Sequence, residues 1–130
     1  MCLEPSAGIG GLADWLPKDR TTCVEVSSLH CKILESKGHK WIEDDFLKMN
    51  ILNKFDRVVM NPPFDRGQWQ AHIEHAASMV SKGGRLVAIL PSGAPTRTAL
   101  KGFNLEWHGL YGNMFAGASV SVVILVATKL

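Results

Sequence analysis

Apolar and polar positions along the chain alternate between short apolar runs and amphipathic stretches. Cys2-Leu3-Glu4 predicts a first strand, which Pro5 ends. The Gly-rich turn Ala7-Gly8-Ile9-Gly10-Gly11 leads into a short helix that Pro17 stops. Thr22 to Val26 reads as a second strand, and Ser27 or Ser28 caps a helix that Gly38 ends. Lys40 to Glu43 and Arg57 to Met60 predict a third and a fourth strand. Trp69, Ile73, Ala76 and Val80 recur at spacings of four, three and four, the mark of one buried helix face, with Gly83-Gly84 as its terminator. Arg85 to Leu90 forms a fifth strand and Thr96 to Lys101 a short helical piece. Leu105 to Leu110 and Val120 to Ala127 predict a closing antiparallel pair.

Strands that alternate with helices imply an α/β fold. The expected architecture is a single Rossmann-like domain: a mainly parallel seven-stranded sheet with an antiparallel C-terminal hairpin and helices on both faces. In such sheets ligands sit beyond the C-terminal ends of the strands. Three unusual segments all follow strands: Gly8 to Gly11, Glu25, and Asn61-Pro62-Pro63-Phe64. Chain order alone therefore places them along one edge.

Composition narrows the class. A chain of 130 residues suits one domain with one core, and 46% apolar with 20% charged residues is a globular profile. A net charge of +2 permits a polyanion partner without demanding one. The longest apolar run, Val120 to Ala127, suits a buried strand, so no membrane association is expected. No signal peptide is visible. The 3 cysteines, Cys2, Cys23 and Cys31, lack CxxC spacing, which points to a reducing cytoplasm rather than a disulfide framework. No metal site is expected.

Gly8-Ile9-Gly10-Gly11-Leu12-Ala13 reads as GxGxxA, a turn whose missing side chains let a ligand approach the backbone. Glu25, at the end of the second strand, can accept hydrogen bonds from both hydroxyls of a ribose. The pair indicates an adenosine-bearing cofactor, and NAD also fits it. The wider string Glu4-Pro5-Ser6-Ala7-Gly8-Ile9-Gly10 favours another donor. It resembles the first motif, EPSAGxG, of class I amino-methyltransferases, specifically the N6-adenine DNA methyltransferases. The resemblance implies S-adenosylmethionine as cofactor, with Glu4 facing its methionine part, Gly8 and Gly10 lying against its adenosine half, and Glu25 holding its ribose. Pro5, Ser6, Ala7 and Val26 complete the implied set. Asp45 and Phe46 match a motif that contacts the cofactor adenine, and the adjacent Asp44 also fits the acidic role. The bland reading of that segment is a polar turn with Phe46 and Leu47 in the core.

Asn61-Pro62-Pro63-Phe64, after the apolar run Val58-Val59-Met60, is the most informative segment. An aromatic amine is a poor nucleophile because its lone pair is delocalised into the ring. Two acceptors on one side of the nitrogen can hold both hydrogens and favour a pyramidal nitrogen whose lone pair faces the methyl group. The Asn61 side-chain carbonyl and the Pro62 main-chain carbonyl can supply them. Pro62 and Pro63 stiffen the backbone and add no competing N–H. Phe64 offers a flat face for an extracted base. The alternative is a Pro-rich turn whose Phe fills the core.

The expected function is methyl transfer to the exocyclic amine of a base, N6 of adenine in DNA first, with nucleic acid as partner. The same motif suits an RNA base or a protein glutamine amide, and a non-catalytic subunit retaining the fold is a further reading. Relative to the family, the chain is expected to lack the usual N-terminal helix and any target-recognition domain, so a partner subunit or recognition domain is implied. His72 and His75 lie three apart on a helix, but with no third ligand they read as a solvated polar face. His30, His39 and His108 read as structural or exposed. Arg66, Arg97 and Lys101 follow strands near the site edge and are candidate phosphate contacts. Trp15, Trp41, Trp69 and Trp107 are expected in or against the core.

Overall fold

A computed structural model describes residues 1–112 and 121–130. The segment Phe115 to Val120, which in sequence resembles the end of the sheet in the N6-adenine DNA methyltransferases, lies outside the described residues. The strands are β1 (Cys2–Glu4), β2 (Thr21–Glu25), β3 (Lys40–Glu43), β4 (Phe55–Met60), β5 (Val80–Pro91), β6 (Phe103–Gly112) and β7 (Ser121–Lys129). They form one sheet in the order β3-β2-β1-β4-β5-β7-β6. The ladders from β3 to β5 are parallel, and β7 runs antiparallel to both β5 and β6. The mainly parallel, doubly wound architecture read from the sequence is the one observed.

The strand order reverses at β1. From there the chain winds outward through β2 and β3, then returns to lay β4 on the other side. Leu3 is thus registered with Thr22 on one flank and Val58 on the other. A crevice opens at such a switch point beyond the strand ends, because the flanking connections leave in opposite directions. The residues that follow β1 and β4 are Pro5-Ser6 and Asn61-Pro62.

Among the described residues two α-helices cover the sheet: α1 (Ser28–Ser36) beside β2 and β3, and α2 (Gln68–Met79) against β5. Ser27 is the N-cap of α1, its hydroxyl accepting from His30 N–H at 3.4 Å. Neighbouring residues of β2 point to opposite faces, and the core divides accordingly. Val24 joins the larger cluster with Leu3, Val58, Leu86 and the α2 residues Trp69 and Ile73. Cys23 joins a smaller one with Ala7, Ala13 and Leu34.

Four expectations need correction. Val80 does not extend the buried face of α2: its φ/ψ of −78°/131° is extended, it starts β5, and it pairs with Phe55. Gly83 and Gly84 consequently lie inside a strand, at a register shift between Phe55 and Arg57. Glycine is required at position 84 because a Cβ there would lie 2.9 Å from the Asp56 carbonyl oxygen. The helical piece expected at Thr96 to Lys101 is a single 3-10 turn, Ala94–Thr96, closed by Arg97 N–H to Ala94 O at 2.9 Å. Trp15 is 88% exposed instead of buried, because the chain after the glycine turn forms only a 3-10 turn and buries just Ala13. The two α2 histidines are not a solvated face. His72 is 8% exposed, and both rings pack on Phe46.

Candidate active site

The glycine turn begins where β1 ends. Gly8 and Gly10 have φ of +56° and +95°, conformations that L side chains avoid. A Cβ on Gly10 would meet Leu34, His39 and Asp14 at 3.1–3.3 Å, so this glycine lets the turn pack on α1 and its exit. A Cβ on Gly8 or Gly11 would meet no atom of the described residues within 4 Å. Those two positions leave bare backbone facing open space.

Glu25 ties the turn to the second strand. One carboxylate oxygen accepts from Gly8 N–H at 2.8 Å and the other from Ser27 N–H at 2.8 Å. Its side chain is 11% exposed. Each oxygen keeps a second lone pair for a ligand hydroxyl. Behind the turn, the buried His39 ring places Nε2 2.7 Å from Asp14 Oδ1. Lys37 Nζ donates to Asp14 Oδ2 at 3.0 Å and to Ile9 O at 2.7 Å. The hydrogen bonds from His39 and Lys37 hold the Asp14 carboxyl below the usual carboxylate range. Of the structural and exposed roles that the sequence leaves open for His39, the geometry selects the structural one.

Glu4 is 1% exposed, and one of its oxygens accepts from Ser6 N–H at 3.1 Å. Burial pushes its carboxyl up to about 8, the Ser6 hydrogen bond opposes this, and the nearby Glu25 charge adds to it.

A cavity of about 460 Å³ opens along this edge, within the size range of small-molecule sites. Pro5, Ser6, Glu25 and Val26 line one end. Asp44, Asp45 and Phe46 line its side wall. Asp45 caps a 3-10 turn through Leu47 N–H at 3.1 Å, and Asp44 accepts from Asp45 N–H at 2.7 Å, so both carboxylates are held at the rim. Phe46, 3% exposed, belongs to the larger core cluster as well as the wall. The segment is thus a polar turn that also forms cavity wall; of the two residues expected in the core, Phe46 is there and Leu47, 40% exposed, is not.

Asn61 and Pro63 reach the same cavity from the end of β4. Asn61 and Pro63 are exposed, while Pro62 is buried beneath them. Phe64 is partly buried and packs against the larger core cluster. Ser6, Glu25, Asp45, Phe46 and Asn61 thus share one cavity, although they are scattered from residue 6 to 61. Past the motif the backbone turns sharply: Arg66 and Gly67 both adopt positive φ, 56° and 68°. Arg66 is solvent-exposed. Arg97 lies over the Trp69 ring, 5.7 Å from its centroid.

Three wall residues are outside the site set expected from the sequence: Val24, Gln68 and His72. The signal was present: positions 69, 72, 73 and 76 follow the i, i+3, i+4, i+7 pattern of one helix face, so a histidine at 72 shares the buried stripe. Among the described residues no group of three or more His, Cys, Asp or Glu side chains is arranged to hold a metal ion. No helix among them is long and apolar enough to cross a membrane.

Comparison with known proteins shows the family and the fold. Residues 8–107 match the family model of the methyltransferase small domain. No curated protein matches the chain in sequence. Among solved structures, the N-methyltransferase NodS from Bradyrhizobium japonicum in complex with S-adenosyl-L-homocysteine is similar, with a TM-score of 0.74 at 15% identity, over 98% of this chain and 76% of that one. A SAM-dependent methyltransferase from Methanosarcina mazei gives 0.77 at 11% identity, over 99% and 92%. The 23S rRNA methyltransferase ErmE gives 0.79 at 17% identity, over 99% and 61%. At these identities the likeness is one of fold.

Proposed function

The chain belongs to the methyltransferase small domain family, and from that premise we propose that it transfers a methyl group from S-adenosylmethionine to the exocyclic amine of a nucleic-acid base, N6 of adenine in DNA first. The observation that carries the proposal is the meeting of Asn61 and Pro63 with Ser6, Glu25 and Asp45 on the walls of one cavity.

The residues present fit the donor. Bare backbone at Gly8 and Gly11 faces open space, and Glu25 lines the cavity with lone pairs to spare. In this reading Glu25 holds the ribose, the Asp45 rim and Phe46 receive the adenine, and Glu4 lies toward the methionine end. The donor supplies a methyl carbon made electrophilic by its sulfonium. The chain's own work is positional. Asn61 Oδ1 and the Pro62 carbonyl accept the two amine hydrogens, which localises the nitrogen lone pair toward the methyl carbon. The buried Pro62 ring and the strand before it keep those acceptors fixed, so little reorganisation is needed at the transition state. No base is required before transfer, because the amine proton becomes acidic only once the methyl is attached. Phe64, packed on the core, offers its ring as a fixed edge for the base. Arg66, two residues past the motif, and Arg97, over the Trp69 ring, are candidate phosphate contacts.

The same acceptor pair suits a planar amine in RNA, and the shared fold with a 23S rRNA methyltransferase favours RNA as the second substrate class. Tritiated donor offered separately with DNA, RNA and protein distinguishes them. Label in DNA, at N6 of adenine, is expected. Label confined to RNA or protein overturns the DNA assignment, and no label in any pool overturns the catalytic one.

A further inference from the structure

We propose that His72 is a specificity residue of the cavity, whose imidazole N–H donates a hydrogen bond to a ring nitrogen of the donor's adenine. The inference rests on the reading of this cavity as the S-adenosylmethionine site and adds a contact to it.

The two histidines of α2 are in different states. His75 is satisfied: its Nε2 lies 2.6 Å from the Met49 carbonyl oxygen, and its ring meets Phe46 edge-on at 4.9 Å between centroids. His72 is not. It is 8% exposed, it lines the cavity, and its Nδ1 is buried without a hydrogen-bond partner among the described residues. A buried polar atom with no partner weakens a fold, so one that persists beside a cavity points to a partner that arrives with the ligand.

The surroundings say which ligand atoms those are. The His72 ring tilts at 37° against Phe46, with centroids 5.9 Å apart, and Phe46 follows Asp45 directly. This wall is the one assigned to the purine. The rim carboxylates of Asp44 and Asp45 can only accept, so they suit the amino group of adenine. The ring nitrogens of adenine are acceptors and need a donor. Of the nearby donors, Asn61 has its carbonyl turned to the acceptor amine in the proposed reaction, and Gln68 is exposed. His72 is the buried side-chain donor among the described residues of that wall. Desolvation holds its pKa below the usual histidine value; the Asp45 charge opposes this and His75 adds to it. A neutral ring brings one N–H and one bare nitrogen, and the purine contact decides which nitrogen carries the proton.

The test uses S-adenosylhomocysteine and its 1-deaza, 3-deaza and 7-deaza analogues, each replacing one ring nitrogen by C–H, titrated calorimetrically into the full chain. One analogue is expected to bind the wild type about tenfold more weakly than the parent, or worse. In His72→Phe the parent itself should weaken to that level, closing the gap. His72→Asn, whose side-chain nitrogen takes the place of Nδ1, should restore much of it, whereas His72→Gln moves the nitrogen and should not. If His72→Phe fails to fold, the Asn and Gln pair carries the comparison. Equal binding of all four ligands by the wild type overturns the inference alone, as does a gap that persists in the Phe or Gln variant. Failure of the wild type to bind S-adenosylhomocysteine overturns the donor reading and the inference with it.

Discussion

Glu25 and Gly8 are joined by a 2.8 Å hydrogen bond from the glycine N–H to a carboxylate oxygen, across 17 residues of sequence. The second oxygen takes Ser27 N–H at the entrance to α1. One side chain thereby sets the glycine turn, starts a helix and still lines the cavity. Hydrogen bonds to a charged acceptor contribute roughly 1.5–3 kcal/mol each in favourable settings. Glu25→Ala should lower affinity for S-adenosylhomocysteine tenfold or more and also loosen the turn. Glu25→Gln should be intermediate, since its amide nitrogen faces one of the two N–H groups. Calorimetry checks both, and wild-type affinity in Glu25→Ala would remove Glu25 from the site.

Asn61 separates binding from chemistry. It is exposed on the cavity wall at the end of β4 and belongs to neither core cluster. Asn61→Ala should abolish methyl transfer while leaving donor affinity within about threefold, because the lost contact is made to the acceptor in the transition state. Single-turnover transfer beside a binding titration tests this, and unchanged turnover refutes the assigned role.

Glu4 gives a pH signature. Its folded-state pKa of about 8 stands above its usual value of 4.5, so the folded protein keeps a proton that the unfolded chain releases. Stability from this group is complete below about pH 4.5 and is lost as pH rises toward about 8. Glu4→Gln copies the protonated form and should remove that dependence. At pH 7.5 the variant should melt several degrees above the wild type, and near pH 4 the two should coincide. Parallel melting profiles across the range would dismiss the buried acid as the cause.

Gly10 is the glycine whose replacement is blocked twice over. Its φ is +95°, and a Cβ would crowd Leu34, the His39 ring and Asp14. Gly10→Ala should cost on the order of 1–3 kcal/mol of stability and weaken donor binding through the displaced turn. Gly11→Ala has open space around it and no positive φ, so it should leave stability within about 0.5 kcal/mol. Denaturant unfolding of the pair provides the comparison. Equal losses at both positions would show that the turn does not depend on this contact.

Much of the frame was legible in the chain. β1 and β3 have the boundaries that the apolar runs predicted, and Ser27 and Gly38 bracket α1 as capping chemistry requires. Local physics suffices there, because Pro5, the serine cap and the glycine all act within a few residues of themselves. The misreading at Val80 has the same root. An apolar residue in helical register is also an apolar residue at a strand start, and only its ladder with Phe55 separates the two. Trp15 is expected in or against the core, but the 3-10 turn that carries it buries only Ala13.

For the site, the chain alone supplied the residue types: a bare glycine turn, an acid after the second strand, and Asn-Pro-Pro-Phe after the fourth. Their meeting was decided by the order in which the strands pair. Reversal of that order at β1 brings the ends of β1 and β4 side by side, and no local periodicity encodes it. The unpaired His72 nitrogen and the raised pKa of Glu4 belong to the tertiary structure for the same reason. A hydrogen-bond vacancy or a desolvated charge is a property of everything packed around a group, and those neighbours come from distant parts of the chain.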